Sequence, residues 1–589
     1  MIMNRPHATL VSAVLALLLA ACGHASDPVD DVTVSLPPAP PDAPDHVNVV
    51  PPPPAPGQSR DGLSYDVYIQ VPATGDLIAF TVFEPATVEA GKKYPLLLHG
   101  HGGGASRVTN KNDPQSAYSP FNDNVGFFTE HGYGVISMDQ RGHGESGGQI
   151  RLMDPDYEGR DLLAILDWAE NRLGWLAYGR SVDGRDPHNL RVGGIGGSYG
   201  GAFQMLLHDI DPRHRMDALV PEATWHDVRD ALSPAGTVKT LWGTFLGLRL
   251  GTAGNGLDPF MRSIFVDGLL GRPLSPEQDD LAYYHSNAYF CNGRPVATNG
   301  GPGTQPLYPP RRPGKIHAMF FQGMRDTLFN FNEAYRNYQC YRQGGGDVRL
   351  LSYQAGHNAT PVIPDPGGDL FQPLGHMFNS RCGSLSVHDA ALAFFDEHLK
   401  GIEAAASLVP TQLCLSLRVD DAVLVDEVMT GHAGREAAVP AATVVAGLPE
   451  LPTVVELGIV AGDNGDVLGG IPRLEIDIEP LAGAAAGEPV IFAGIGHKRA
   501  LLPNLPLPLV WDLVDNQVMP IRGSGHHEID LVGVGERLQP GDRLALLLYG
   551  SHDQYLLSGS VNATQPAVVP LRVSGRIWLP LLGPLPPAP

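Results

Sequence analysis

Residues Gly193–Gln204 read GGIGGSYGGAFQ. An apolar run, LRVGGI, leads into this stretch, and a helix-like run, YGGAFQMLLHDI, leads out of it. Gly196-Gly197-Ser198-Tyr199-Gly200 is therefore a G-x-S-x-G at a strand–turn–helix junction. Such a turn is strained and crowded. Glycines on both flanks let the backbone pass where side chains would clash. The turn lifts its serine to the carboxyl end of a sheet, beside a helix N-terminus that stabilises negative charge. That is where a nucleophile belongs; the plainer alternative is an ordinary βα turn.

Working outward, SYDVYIQVP and LIAFTVFEP read as strands from Tyr65 onward. Short apolar runs then alternate with helical stretches: YPLLLHG, GYGVISMD, EGRDLLAILDWAENRL, MDALVPE, and later KIHAMFFQG, NEAYRNYQCYRQ, DVRLLSYQAG and DAALAFFDEHLKG. Apolar runs between helices are buried parallel strands, and repeated βα units give a doubly wound sheet. The alternation lapses between Trp225 and Pro313, which predicts a helical lid inserted between two strands. After about Leu408, runs such as VVELGIV, RLEIDIE and PVIFAGI are separated by Gly, Pro and Asp turns. That spacing predicts a β-sandwich. The expected fold is α/β: a doubly wound, mostly parallel sheet over 61–224 and 314–404, a lid over 225–313, and a β-sandwich over 405–589.

A serine hydroxyl needs a base. In this chain order an acid and then a histidine should follow the serine. Asp326, in FFQGMRDTLF, sits just beyond an apolar strand, where an acid orients the base. His357, in LLSYQAGHN, follows the last strand of the alternating series. As plain structure, Asp326 would cap a turn and His357 would be a loop residue. His376 and His388 are rival bases, the second at the start of a helix; Asp347 is a rival acid that begins a strand rather than ending one. An anion hole would use the backbone N–H of Tyr199 and that of His101, the latter within HGHGGG at His99–Gly104. A metal at His99 and His101 lacks a nearby carboxylate. His526-His527-Glu528 and Asp463–Asp466 read as turns. No cofactor is implied.

LLLHGHGGG, GVISMDQRGHGESGG, GGSYGG, QGMRDTLF and AGH, in that order, resemble the α/β-hydrolase series. GSYGG, FFDEHLKG at Phe394–Gly401 and ERLQPGDRLALLLYGSHDQY at Glu536–Tyr555 narrow the resemblance to the Xaa-Pro dipeptidyl-peptidase and cocaine-esterase superfamily. The resemblance implies Ser198, Asp326 and His357 as a catalytic set acting on an ester, amide or short peptide. It also implies that the sandwich is jelly-roll-like and that DQRGHGESG, Asp139–Gly147, is structural. One departure stands out. Cocaine-esterase-like members use a tyrosine hydroxyl after the third strand as oxyanion donor, whereas this chain has HGHGGG. No acidic pair stands out as a grip for a peptide N-terminus. The alternative is a non-catalytic surface lipoprotein whose sandwich binds glycan or protein.

The N-terminus reads as an export signal, with Arg5 and His7 before the apolar Ala8–Ala20. It ends LAAC at Leu19–Cys22, which resembles the lipobox of bacterial lipoproteins. That implies a signal over 1–22, lipidation at Cys22 and, with no Asp after the cysteine, the outer membrane. Residues 23–60, with PPAPPDAP and PPPPAP, form a stiff tether. Cys291, Cys340, Cys382 and Cys414 remain, and an exported chain permits two disulfides among them in three connectivities. Cys382 and Cys414 flank one predicted helix, which favours that pair. A formal charge of -23 with no basic stripe argues against a nucleic-acid partner.

Overall fold

Ten strands of the computed structural model form the sheet that positions the site. They are β1 (Ser64–Gln70), β2 (Leu77–Phe83), β3 (Leu96–Gly100), β4 (Gly134–Met138), β5 (Val192–Gly197), β6 (Met216–Glu222), β7 (His317–Gly323), β8 (Val348–Tyr353), β9 (Leu413–Arg418) and β10 (Asp421–Val425). Their spatial order is β1-β2-β4-β3-β5-β6-β7-β8-β9-β10. From β4 to β9 every pairing is parallel; β1–β2, β2–β4 and β9–β10 are antiparallel. The structure describes residues 50–588 except 112–123, 273, 301–303, 358–380, 404–407, 448–450, 482–487, 500–510, 556–560, 563–564 and 567. Cys22, most of the tether and His376 lie outside the described residues.

Helices cover both faces, as buried parallel strands require. On one face lie α2 (Glu158–Arg172), α3 (Tyr199–Ile210) and α9 (Phe331–Gly344), whose apolar sides share a core with Leu96, Leu98, Leu219 and Phe320. On the other, α1 (Asn124–Glu130) and α10 (Val387–Lys400) pack on Leu97, Ile195, Val220 and Phe321. All of α3 is buried, so the helix that follows Ser198 runs through the core of the domain.

Between β6 and β7 the chain leaves the sheet and builds α4 (Val228–Leu232), α5 (Thr240–Thr252), α6 (Pro259–Leu269), α7 (Pro276–Tyr284) and α8 (Asn287–Asn292). Local signals set their ends. Asp258 caps α6 through Phe260 N–H, and Ser275 with Gln278 forms a capping box on α7. A disulfide between Cys291 and Cys340 ties α8 to α9, and a second joins Cys382 to Cys414.

The expected sandwich boundary at 405 needs correction. β9 and β10 belong to the hydrolase sheet: β9 pairs with β8 through Leu351 and Cys414. Short apolar runs have the same periodicity in either sheet, so the pattern alone did not say which they join. The sandwich proper begins with β11 (Arg435–Ala446). One sheet holds β11, β14 (Arg473–Pro480), β18 (Gly525–Asp530) and β21 (Val569–Leu579). The other holds β12 (Thr453–Val460), β15 (Val490–Lys498), β16 (Asp512–Leu513), β17 (Met519–Arg522) and β20 (Arg543–Tyr549). A separate pair, β13 (Asp466–Gly470) and β19 (Val534–Leu538), is also antiparallel. Inward residues of both sheets, among them Val444, Ile476, Ile495, Leu546 and Val573, fill one core.

Strand β15 carries a buried imidazole. His497 lies 2.8 Å from Asp542 through Nε2 and 3.6 Å from Glu536 through Nδ1. Burial alone would lower its pKa, but the two carboxylates raise it above the usual histidine value. A raised pKa stabilises the fold below the ordinary histidine range, and that stabilisation is lost as pH rises through the folded value. In thermal melts across pH, wild type should exceed His497→Asn most under mildly acidic conditions, with the gap shrinking as pH rises.

Candidate active site

Ser198 occupies φ 56°, ψ -121°, a region that side chains avoid. The neighbouring backbone forces this. A Cβ on Gly200 would lie 2.0 Å from the Gly100 carbonyl oxygen, and one on Gly196 would lie 2.4 Å from the same oxygen. The end of β3 thus crosses the elbow at a distance only glycine permits. Gln204, one turn along α3, fastens the elbow from below: its amide donates to Gly200 O at 3.1 Å and Gly196 O at 3.3 Å. The Ser198 N–H donates to Glu222 O at 2.9 Å, tying the turn to the end of β6.

His357, just past β8, meets the serine. Its Nε2 lies 3.1 Å from Ser198 Oγ and its Nδ1 2.8 Å from Asp326 Oδ2. With Nδ1–H donating to the carboxylate, Nε2 is left to accept from the hydroxyl. Asp326 is 1% exposed, and its Oδ1 accepts from Leu328 N at 2.8 Å and Phe329 N at 2.9 Å. The turn reading of Asp326 therefore holds as well: one oxygen builds the turn and the other faces the imidazole. The rivals stand elsewhere. His388 lies in α10, with its ring 5.9 Å from Phe127. Asp347 precedes β8, at the opposite end of the strand from His357, and pairs with Arg349 and His398.

The two N–H groups expected to hold an oxyanion lie on adjoining backbone. Tyr199 opens α3, where the first-turn N–H groups lack intrahelical acceptors. The loop after β3 passes so close that a Gly200 Cβ would sit 3.0 Å from His101 O. The His101 ring is buried and engaged through both nitrogens, with Nδ1 2.8 Å from Gly102 O and Nε2 accepting from Gln140 N at 3.1 Å. Burial and the neighbouring His143 hold it well below the usual histidine pKa. A neutral ring with no spare lone pair shapes the loop and offers nothing to a metal. Asp139 of DQRGHGESG accepts from Arg107 N at 2.6 Å and Glu145 N at 2.9 Å, so its carboxylate ties this loop to the one after β3.

Residues 74–254 match the family model described as X-Pro dipeptidyl-peptidase (S15 family). The ten-stranded sheet with its covering helices has the α/β-hydrolase fold. Among solved structures, the chain is similar to a CocE/NonD family hydrolase from Staphylococcus aureus, with TM-score 0.57 and 12% identity over 88% of this chain and 94% of that one. It is similar to an α-amino acid ester hydrolase, with TM-score 0.58 and 13% identity over 94% and 100%. It also resembles an aminopeptidase from a marine sediment Thaumarchaeota archaeon, with TM-score 0.56 and 12% identity over 89% and 97%. No curated protein matches the chain.

Several neighbours of the triad escaped the sequence reading. Trp242 of α5 stands edge-on to His357, ring centroids 5.6 Å apart, and Phe329 does the same at 5.2 Å. Trp242 Nε1 donates to Thr327 Oγ1 at 2.9 Å. Lys239, buried at the start of α5, donates to Leu328 O at 2.9 Å, and burial lowers its pKa to about 8. Glu222 is buried at the end of β6 and accepts from Tyr353 Oη at 2.8 Å; burial raises its carboxyl to about 7. A lone Trp or Lys in an insertion carries no pattern that announces such a position.

The crossing at Gly200 gives a sharp test. Gly200→Ala places a methyl against the backbone of β3, which cannot yield as a side chain could. The elbow must shift by a sizeable fraction of an ångström, and hydrolytic activity should fall at least about a hundredfold while far-ultraviolet circular dichroism persists. Near wild-type turnover in this variant would contradict the crossing.

Proposed function

We propose that the chain is a serine hydrolase that cleaves carboxylic esters through an acyl-enzyme. The observation that carries this reading is the chain of contacts from Asp326 through His357 to Ser198, at 2.8 and 3.1 Å. Ser198 Oγ attacks the carbonyl carbon as its proton passes to His357 Nε2. Negative charge gathers on the carbonyl oxygen, where the N–H groups of Tyr199 and His101 would receive it; such donors are each worth about 3–4 kcal/mol on the transition state. His357 then returns the proton to the departing alcohol, leaving the acyl group on Ser198. Water, deprotonated by the same imidazole, attacks the acyl carbon and releases the acid and the free serine. Asp326 keeps the imidazole in one tautomer and stabilises its cation.

Ester cleavage is favoured over removal of residues from a free peptide N-terminus. An ammonium would need an anionic partner near the triad, and among the described residues the buried glutamates are already engaged. Glu222 is turned to Tyr353 and raised by burial toward neutrality. Glu158 accepts from the N–H groups of Arg151 and Asp154, and Glu333 from those of His226 and Asp227. The rings packed edge-on against the imidazole, Trp242 and Phe329, are apolar. Among the structural neighbours, one is named an α-amino acid ester hydrolase and another an aminopeptidase, so the fold accommodates both chemistries.

A paired screen tests the reading. Short-chain p-nitrophenyl esters should turn over faster than Xaa-Pro or aminoacyl anilides, and Ser198→Ala should lower kcat by several orders of magnitude. Turnover retained in Ser198→Ala would overturn the serine assignment. A preference for substrates with an unblocked amino terminus would overturn the ester assignment.

A further inference from the structure

The loop that carries Asp326 is held from two directions by parts of the chain outside the hydrolase sheet. On one side stands the insertion, with Lys239 on Leu328 O and Trp242 on Thr327 Oγ1. On the other stands Gln517 of the C-terminal sandwich. Its side-chain amide nitrogen donates to Met324 O at 2.9 Å and to Asp326 O at 3.0 Å, so both amide protons go to one loop. Gln517 is 3% exposed. The two carbonyls it satisfies flank Arg325, immediately beside the acid.

The residues before Gln517 are set in an unusual way. Asp515 has φ 52° and Asn516 φ 57°, two successive non-glycine residues in the left-handed region. Side chains rarely adopt that region, so the surroundings must impose the turn. They do: Asp515 Oδ2 accepts from Gly535 N at 2.7 Å and Asn516 O accepts from Gln554 Nε2 at 3.1 Å. The strained turn is what delivers the Gln517 amide to the acid loop.

We infer that Gln517 is a positioning residue for Asp326, which makes the sandwich part of the catalytic apparatus rather than a separate binding module. The inference rests on the serine-hydrolase reading. Met324 N donates to Tyr353 O at 2.9 Å and Arg325 N to Ala355 O at 3.2 Å, which ties the start of the loop to the end of β8, while the Leu328 and Phe329 N–H groups hold the carboxylate. Gln517 secures the carbonyl side of the same loop, which those bonds leave without donors. Without it, two buried carbonyls lose their donors, and the loop must shift or admit water. The carboxylate then drifts from Nδ1, and the imidazolium formed during the reaction is less stabilised. The other charged groups facing this pair are Glu222 from β6 and Lys239 from the insertion, and Asp515 faces Arg325. A substitution at 517 alters none of these side chains.

The test is Gln517→Met in the full chain, a substitution of similar length and volume without donors, assayed with p-nitrophenyl butyrate. kcat should fall roughly tenfold with KM nearly unchanged. The acidic limb of kcat/KM should move to lower pH, a readout that a purely structural role would leave in place. Asn332→Ala is the control. Asn332 also bridges to the sandwich, through Leu531 O at 2.9 Å and Gly533 N at 2.8 Å, but six residues beyond the acid. It should lower Tm and leave the limb in place. Should Gln517→Met not fold, Gln517→Asn, which draws the amide back by one methylene, is read the same way. Ser198-dependent turnover with an unmoved limb and unchanged kcat at 517 overturns the positioning role alone. Turnover that survives Ser198→Ala removes the hydrolase reading and this inference with it.

Discussion

The backbone crossing between the end of β3 and the turn after β5 governs the rest of the site. Gly100 O lies where a Cβ on Gly196 or Gly200 would have to be. Because neither residue has one, the chain can reverse sharply at Ser198 and start α3 at once. The reversal holds the hydroxyl clear of the sheet and brings the first N–H of the helix beside the loop that follows β3. In the proposed reaction, nucleophile position and anion-hole position are therefore set by one geometric feature. The strain at Ser198 is sustained by the buried Gln204 amide below and the Glu222 carbonyl beside it.

The second half of the site is assembled from more distant pieces. The β7 loop brings Asp326 and the β8 loop brings His357, but neither loop is fixed by the sheet alone. The insertion presses on one side of the acid loop through Lys239 and Trp242, and the sandwich holds the other through Gln517. A buried polar loop must have its donors and acceptors matched. Here the partners come from the insertion, the end of β8 and the sandwich, three separated stretches of sequence, which couples the parts of the chain to the geometry of a single carboxylate.

Much of this was legible in the sequence because local rules sufficed. G-x-S-x-G between an apolar run and a helical run has few physical realisations. Asp326 and His357 each stand just past a strand, at the sheet end where Ser198 also stands, and the structure brings the three together. The rival Asp347 stands before its strand and falls at the opposite end. What escaped depended on long-range contact. Gln517 lies 191 residues from the acid whose carbonyl it binds, and nothing in VDNQVM marks it. Leu413–Arg418 reads as well for a sandwich strand as for the β9 it forms, because alternation says that a strand is half-buried but not against what. The pairing of Glu222 with Tyr353 reaches across β7, whose register sets Glu222 beside Phe321 and Phe321 beside Leu351, so it depends on strand order rather than on either residue's neighbours in sequence.

The central claim is that the fold makes one hydroxyl, Ser198, nucleophilic through His357. Peptide mapping by mass spectrometry after treatment with a fluorophosphonate measures this directly. The account predicts one phosphonyl adduct, on the peptide containing Ser198, formed rapidly in wild type and at least about a thousandfold more slowly in His357→Ala. An adduct on another residue, or labelling of His357→Ala at the wild-type rate, would contradict it.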